Sequence, residues 1–223
     1  MQLPPDALPA AVAENFSPTE LKLLMLINPT LLLLIAVAIG VSLFDKVNLQ
    51  LPLLYQKSNE LSKGDILRSG IAGGVLAGIL LAGISMLFKL ILPSEFEAVG
   101  SNVELSVLAR LLYGGITEEI LLRFGFMTLV IWRGFKLSKS LSSAVYWTGI
   151  VISSVVFAIG HFPVVFQSLE SPSMAFLSYI LSGNSAGGLI FGWLYWKKGL
   201  EAAFLAHKAA HVGMLIGETF IAT

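Results

Sequence analysis

Six side chains in this sequence combine types and spacings suited to hydrolytic chemistry: Glu118, Glu119, Arg123, His161, His207 and His211. Glu119 and Arg123 are four residues apart with the acid on the N-terminal side, which sets them on one helix face in the better orientation for an ion pair. Glu118 points about 100° away around a 3.6-residue turn. That leaves it as the carboxylate free for chemistry, suited by burial to serve as a general base. His207 and His211 also share one helix face, and His161 closes the stretch Phe157-Ala-Ile-Gly-His161. A lone intramembrane Glu-Arg pair is as readily read as polar glue between helices, and a lone histidine as a helix-helix hydrogen bonder. Three histidines on two helices, beside two acids, weigh against those bland readings.

The elements that must position these groups are membrane helices. Leu105 to Ile131 carries Arg110, Glu118, Glu119 and Arg123 among fourteen Leu, Ile, Val and Phe residues. An ionisable residue near a helix centre costs about 3 kcal/mol on the insertion scale, so four cost roughly 12, while each large apolar residue returns only about 0.5. Alone, such a helix inserts poorly. It needs neighbours that shelter its charges, and intramembrane carboxylates then mark a functional site.

Composition agrees: 56% of residues are hydrophobic and 13% charged, and mean hydropathy is +0.82. These values exclude a soluble domain and predict a polytopic, all-α transmembrane bundle. The absence of Cys excludes disulfides and a thiol nucleophile. Residues 1 to 16 read as a polar leader with Pro4, Pro5 and Pro9, lacking the basic and apolar regions of a cleavable signal peptide. Residues 17 to 104 hold two spanning helices, Leu21 to Phe44 after a Ser17-Pro18-Thr19-Glu20 start, and Ile66 to Leu92 capped by Asp65. Asn28-Pro29 suggests a kink in the first, and Gly70, Gly74 and Gly78 suit the second to close helix contact. The connector between them is polar and basic, with a short interfacial helix expected near Leu51 to Tyr55. Pro93 should close the second helix and open an acidic connector, Ser94 to Glu104.

Residues 105 to 223 form the expected catalytic core: the charged helix, a helix from Leu141 to Phe162 stopped by Pro163, a loop from Val164 to Ser173, a helix from Met174 to Trp196 and a last helix from Leu200 to Ile221. Ser182-Gly183-Asn184-Ser185 should loosen the penultimate helix, while Trp193, Tyr195 and Trp196 beside Lys197 and Lys198 form an interface belt. Lys and Arg in successive connectors count 0, 3, 0, 3, 0, 2 and 0. Six spanning helices with both termini non-cytoplasmic follow from that alternation.

Three stretches, Glu118-Glu119-Ile-Leu-Leu-Arg123, Phe157-x-x-x-His161 and His207-x-x-x-His211, resemble in order and spacing the EExxxR, FxxxH and HxxxN/D motifs of the type II CAAX prenyl endopeptidase and bacteriocin-processing family of intramembrane proteases, also called CPBP or ABI. The likeness covers about Leu105 to Ile216. It implies an active site in an intramembrane cavity of the bundle, an integral multi-pass protein of a prokaryotic cell membrane or an organelle of prokaryotic descent, and a membrane-tethered protein or peptide as substrate. The placement of the charges reports orientation and points to no nucleic-acid partner. Glu118 with His161 would activate water, His207 and the residue at 211 would stabilise the oxyanion, and Glu119 with Arg123 would hold the helix. The sequence departs from the pattern at His211, where the family has Asn or Asp.

That departure raises the question of a metal. Histidines at i and i+4 have zinc-ligand spacing, and Glu118 and His161 could complete a site with His207 and His211. Lys208 stands where the zincin motif has its Glu, so no cofactor is required on the preferred reading, with Zn the alternative. Two other functions stay open: a non-catalytic immunity or scaffold protein of the same fold, and an ion-coupled transporter, against which the lack of an inverted repeat counts. One geometric demand is severe. His161 falls nearer the end of its helix than Glu118 and His207 do, so the groups meet only if helices tilt or kink.

Overall fold

The computed structural model describes residues 16–55, 61–102 and 106–221. Most of the expected N-terminal leader and part of the first connector, including Lys57, lie outside them, as do Glu104 and Leu105. The described residues form an all-α bundle: α1 (Pro18–Leu43), α2 (Lys63–Ile91), α3 (Pro93–Asn102), a continuous helical run over 107–138 termed α4, α5 (Ser143–Ile159), α6 (Phe162–Ser168), α7 (Met174–Lys198) and α8 (Leu200–Ile221). Four stretches are long and apolar enough to cross a membrane: Thr19–Leu43, Lys63–Ile91, Ser143–Ser168 and Met174–Lys198. Of the other two long elements, α4 carries Glu118, Glu119 and Arg123 and α8 carries His207 and His211. The protein is an integral membrane protein.

Helix starts follow local capping chemistry. Ser17 and Glu20 form a reciprocal capping box, the Ser17 amide donating to Glu20 Oε2 at 2.8 Å and the Glu20 amide donating to Ser17 Oγ at 3.4 Å. The helix runs through Pro29 without interruption. Ser62, not Asp65, caps α2: its hydroxyl accepts from the Asp65 amide at 3.1 Å while donating to Asp65 Oδ2 at 2.8 Å. Serine three residues before the acid is the better cap because the acid then sits in the first turn, near the helix's positive end. Pro93 does close α2, yet it also opens α3, so the expected connector is largely helical. Glu95 of α3 accepts from the amide and hydroxyl of Ser173 at 2.8 and 2.9 Å, tying α3 to the start of α7.

The tightest pairing is α2 against α8. A Cβ at Gly70 would sit 2.7 Å from Leu205 Cβ, one at Gly74 would meet the Ala206 backbone, and one at Gly78 would lie 3.3 Å from Ala210 O. Facing them, Ala202, Ala206 and Ala210 are fully buried. Small residues on both helices let the backbones touch, which is how helices associate where lipid removes the hydrophobic drive. The N-terminal half of α1 stays largely exposed, whereas Ala36 and Gly40 near its end pack on Gly125 and Phe124 of α4.

The first connector contains a 3₁₀ turn at Asp45–Val47 and a tight turn in which the Tyr55 amide donates to Leu51 O at 2.7 Å; the expected helix at 51–55 is not there. Its apolar residues Val47, Leu49 and Leu51 turn inward instead of lying along the interface. Tyr146 donates to Val47 O at 2.8 Å, the Leu200 amide to Gln50 O at 3.1 Å, and Glu201 Oε1 accepts from the amides of Leu53 and Leu54 at 2.8 and 3.0 Å. Gly199, at φ +90°, faces Pro52 so closely that a side chain there would collide. Glu201→Ala should therefore unfold more easily by about 1.5 to 3 kcal/mol, since two backbone amides lose a charged acceptor. Thermal unfolding in detergent reads this, and an unchanged midpoint would refute the latch.

Two further expectations change. Tyr195 is buried, its hydroxyl 3.0 Å from Thr128 Oγ1, so only Trp193 and Trp196 remain of the aromatic belt. The Ser182–Ser185 segment stays helical, and Asn184 turns its amide onto Ile180 O at 2.9 Å.

Candidate active site

The charged helix departs from regular α geometry at the point where it carries the acids. After Val107–Ala109, the stretches Arg110–Glu118 and Ile120–Met127 have π-helical bonding, with Glu119 between them, before Thr128–Ser138 resumes the α form. At the far end of the second stretch, the amide and hydroxyl of Thr128 both reach back to Arg123 O, the hydroxyl at 3.2 Å. Wide turns of this kind are uncommon and tend to occur at functional sites. Here the widening alters the division of labour expected from a 3.6-residue turn. Glu119 Oε1 lies 2.8 Å from His207 Nδ1 and Glu118 Oε2 lies 3.8 Å from His207 Nε2, so both carboxylates address one imidazole.

Arg123 and Glu119 pair as the spacing predicted, Nε to Oε2 at 3.4 Å, both side chains 0% exposed. The guanidinium also lies over the rings of Phe157 and Phe191, 4.7 and 5.7 Å from their centroids, contacts that favour a cation in a dry setting. Room for it comes from α7: a Cβ on Gly188 would stand 3.0 Å from Arg123 Nη2 and 2.8 Å from Ser154 Oγ.

His161 reaches the site through a break in its helix. Regular α-helical bonding lapses at Gly160 and His161 between α5 and α6, although both keep right-handed helical dihedrals, and Pro163 falls in the first turn of α6 instead of ending the element. The loop expected from Val164 is thus helical to Ser168. His161 Nδ1 is 2.9 Å from Phe157 O, and a carbonyl only accepts, so that nitrogen carries the hydrogen. In the neutral ring Nε2 is then an acceptor, and it stands 4.0 Å from Glu118 Oε1. The side chains of His161 and Glu118 are 34% and 17% exposed, in contrast to the sealed Glu119 and Arg123. His161 and Glu118 thus meet despite the depth mismatch that straight helices imposed.

His207 is held on its faces as well as its edge. Its ring stacks with Phe191 at 4.4 Å and 19°, and with His211 at 4.9 Å and 16°. Phe157 meets it edge-on at 5.8 Å and also meets His161 edge-on at 4.8 Å. His211 makes no hydrogen bond through either ring nitrogen, and its Nε2 faces Gly114 closely. All six predicted residues therefore meet in one cluster drawn from α4, the α5–α6 break and α8.

Phe191 and Gly114 are parts of this cluster that sequence reasoning passed over. The i, i+4 step from Phe157 to His161 was visible in the sequence. Nothing in the sequence singled out Phe191 among the apolar residues of its helix.

The two histidines with zinc-ligand spacing, His207 and His211, do not converge as a pair of ligands. Among the described residues no three His, Cys, Asp or Glu groups stand in ligand geometry. A ring nitrogen's lone pair lies in the ring plane, so the nearly parallel rings of His207 and His211 send theirs side by side, not to a common point.

A comparison with family models matches residues 100–212, just over half of the chain, to "Type II CAAX prenyl endopeptidase Rce1-like". The chain belongs to this family. The type II CAAX prenyl endopeptidase match spans the run from α4 into α8 and contains every residue of the cluster. On that membership the protein is a membrane peptidase of the CAAX protease kind. Neither the curated proteins nor the solved structures compared with the chain give a match.

Proposed function

We propose that the protein is a glutamate-type intramembrane endopeptidase that hydrolyses a peptide bond of a membrane-tethered, CAAX-like substrate without a metal. The observation that carries this reading is the facing of two acceptors, Glu118 Oε1 and His161 Nε2, across 4.0 Å at the exposed edge of an otherwise sealed charge cluster. Two acceptors at that separation are satisfied together by one water that donates a hydrogen to each, at about 2.8 Å. Such a water has its lone pairs turned outward, toward an incoming carbonyl.

The reaction then follows. Glu118 takes a proton as the water oxygen bonds to the carbonyl carbon, and the carbonyl π electrons move onto oxygen. Glu119 accepts the hydrogen of His207 Nδ1, and when His207 carries its second proton, Nε2–H donates to the oxyanion. With His207 in that form the buried charges of Glu118, Glu119, Arg123 and His207 sum to zero, the only balance a low-dielectric setting tolerates well. Collapse of the tetrahedral intermediate breaks the C–N bond, and Glu118 returns its proton to the leaving amine. The positive connectors face the cytoplasm in this reading, with both termini on the opposite side and the membrane that of a prokaryote or an organelle of such descent.

The test is cleavage of an internally quenched, farnesylated peptide ending in a CAAX sequence by the purified protein in detergent or nanodiscs. Turnover should persist undiminished after exhaustive metal chelation. Loss of turnover on chelation, restored by zinc, would overturn the metal-free assignment.

A further inference from the structure

His207 has the Phe191 ring centroid 4.4 Å and the His211 centroid 4.9 Å away, each ring within 20° of parallel to its own. Two flat rings cannot share one face of an imidazole at those separations, so they lie on opposite faces and clamp it. Rotation of the His207 ring about its Cβ–Cγ bond would swing Nε2 away from Glu118, and the clamp resists that rotation. Phe191 is fully buried in α7 and cannot yield. His211 is half-buried, makes no hydrogen bond through its ring, and meets Gly114 with its Nε2 edge, where even a methyl group would collide with that nitrogen.

We propose that Gly114 and His211 are a matched pair of positioning residues: the missing side chain at 114 is the gap that admits the Nε2 edge of the His211 ring, so that the ring can stand parallel to His207 opposite Phe191 and fix the aim of the His207 Nε2. His211 then acts as a shelf and not as a second oxyanion donor. This assignment rests on the peptidase reading for its effect on turnover, but the ring geometry stands without it. The π-helical stretch Arg110–Glu118 contributes directly, because it presents the Gly114 backbone to α8 two residues before Ile116 and four before Glu118.

The experiment is a double-substitution cycle in the full chain, with Gly114→Ala, His211→Asn and both together. The chain has only three histidines, all in the cluster, so ¹⁵N,¹³C-histidine NMR in nanodiscs reports the site alone. Gly114→Ala should displace the ring signals of His207 and His211 and lower kcat on the quenched peptide by roughly 10- to 100-fold with KM little changed, the loss expected when a reacting group is misplaced by about 1 Å. In the His211→Asn background the same alanine should be silent in kcat, in the His207 signals and in the unfolding midpoint, because the ring it strikes is gone. Undisturbed histidine signals in Gly114→Ala, or an alanine effect equally large without His211, would overturn the pairing. Failure of the native protein to cleave the peptide would count against the peptidase reading, while the NMR and unfolding cycle would still decide the pair.

Discussion

Glu118→Gln should lower turnover of a membrane-tethered peptide by about 10² to 10⁴-fold, the range a positioned general base supplies, while leaving the bundle as stable as before. The two halves of this prediction have separate causes. Glutamine matches glutamate in shape but its amide cannot take a proton from water, so the step in which nucleophile and base act together loses its acceptor. Stability should hold because Glu118 makes no close bond: its nearest ionisable partners are the Nε2 atoms of His207 and His161 at 3.8 and 4.0 Å. Its carboxylate is also partly open to solvent. Glu119→Gln offers the contrast. That carboxylate is sealed and holds both His207 and Arg123, so its loss should impair folding along with turnover. Rates for Glu118→Gln within about threefold of the native protein, at equal folded yield, would remove Glu118 from the chemistry.

The contrast between these two acids also shows what could be read from the sequence. The i, i+4 spacing of Glu119 and Arg123 and of the last two histidines needed only a helical period, and those pairs form as the period requires. The glycine ladder of α2 was likewise visible, since a residue without a side chain at every fourth position has few uses besides close packing. Three things were hidden. Hydrophobicity and spacing do not report a π-helical register, so the joint approach of Glu118 and Glu119 to His207 could not be derived from a regular turn. The break at Gly160 and His161 was visible only as a helix end before Pro163, because a proline tolerated in the first turn of a new helix has the same neighbours as one that stops a helix. The inward turn of the first connector was hidden for a related reason: Val47, Leu49 and Leu51 alternate in a way that suits an interface as well as a core.

Arg123→Met should be the most damaging single change to folding, costing on the order of 3 to 5 kcal/mol, because it leaves a fully buried carboxylate without its cation. Methionine preserves most of the volume and the contact with Phe157 and Phe191, so the loss is chiefly one of charge. Glu119 would then keep only His207 as partner, in a setting where solvent does not compensate. If charge is the cause, removing the orphaned acid as well must help. Arg123→Met with Glu119→Gln should recover part of the lost stability, since replacing both members of a buried pair is often near neutral while breaking one is not. Unfolding by SDS or urea in mixed micelles, run on both single variants and the double, measures the coupling. The double variant should regain stability but not turnover, since His207 Nδ1–H then faces an amide in place of the carboxylate that accepts its hydrogen. Costs that simply add would mean that Arg123 serves the fold through its packing on Phe157 and Phe191, and the Glu119–Arg123 pair would lose its place as the support beneath the hydrolytic site.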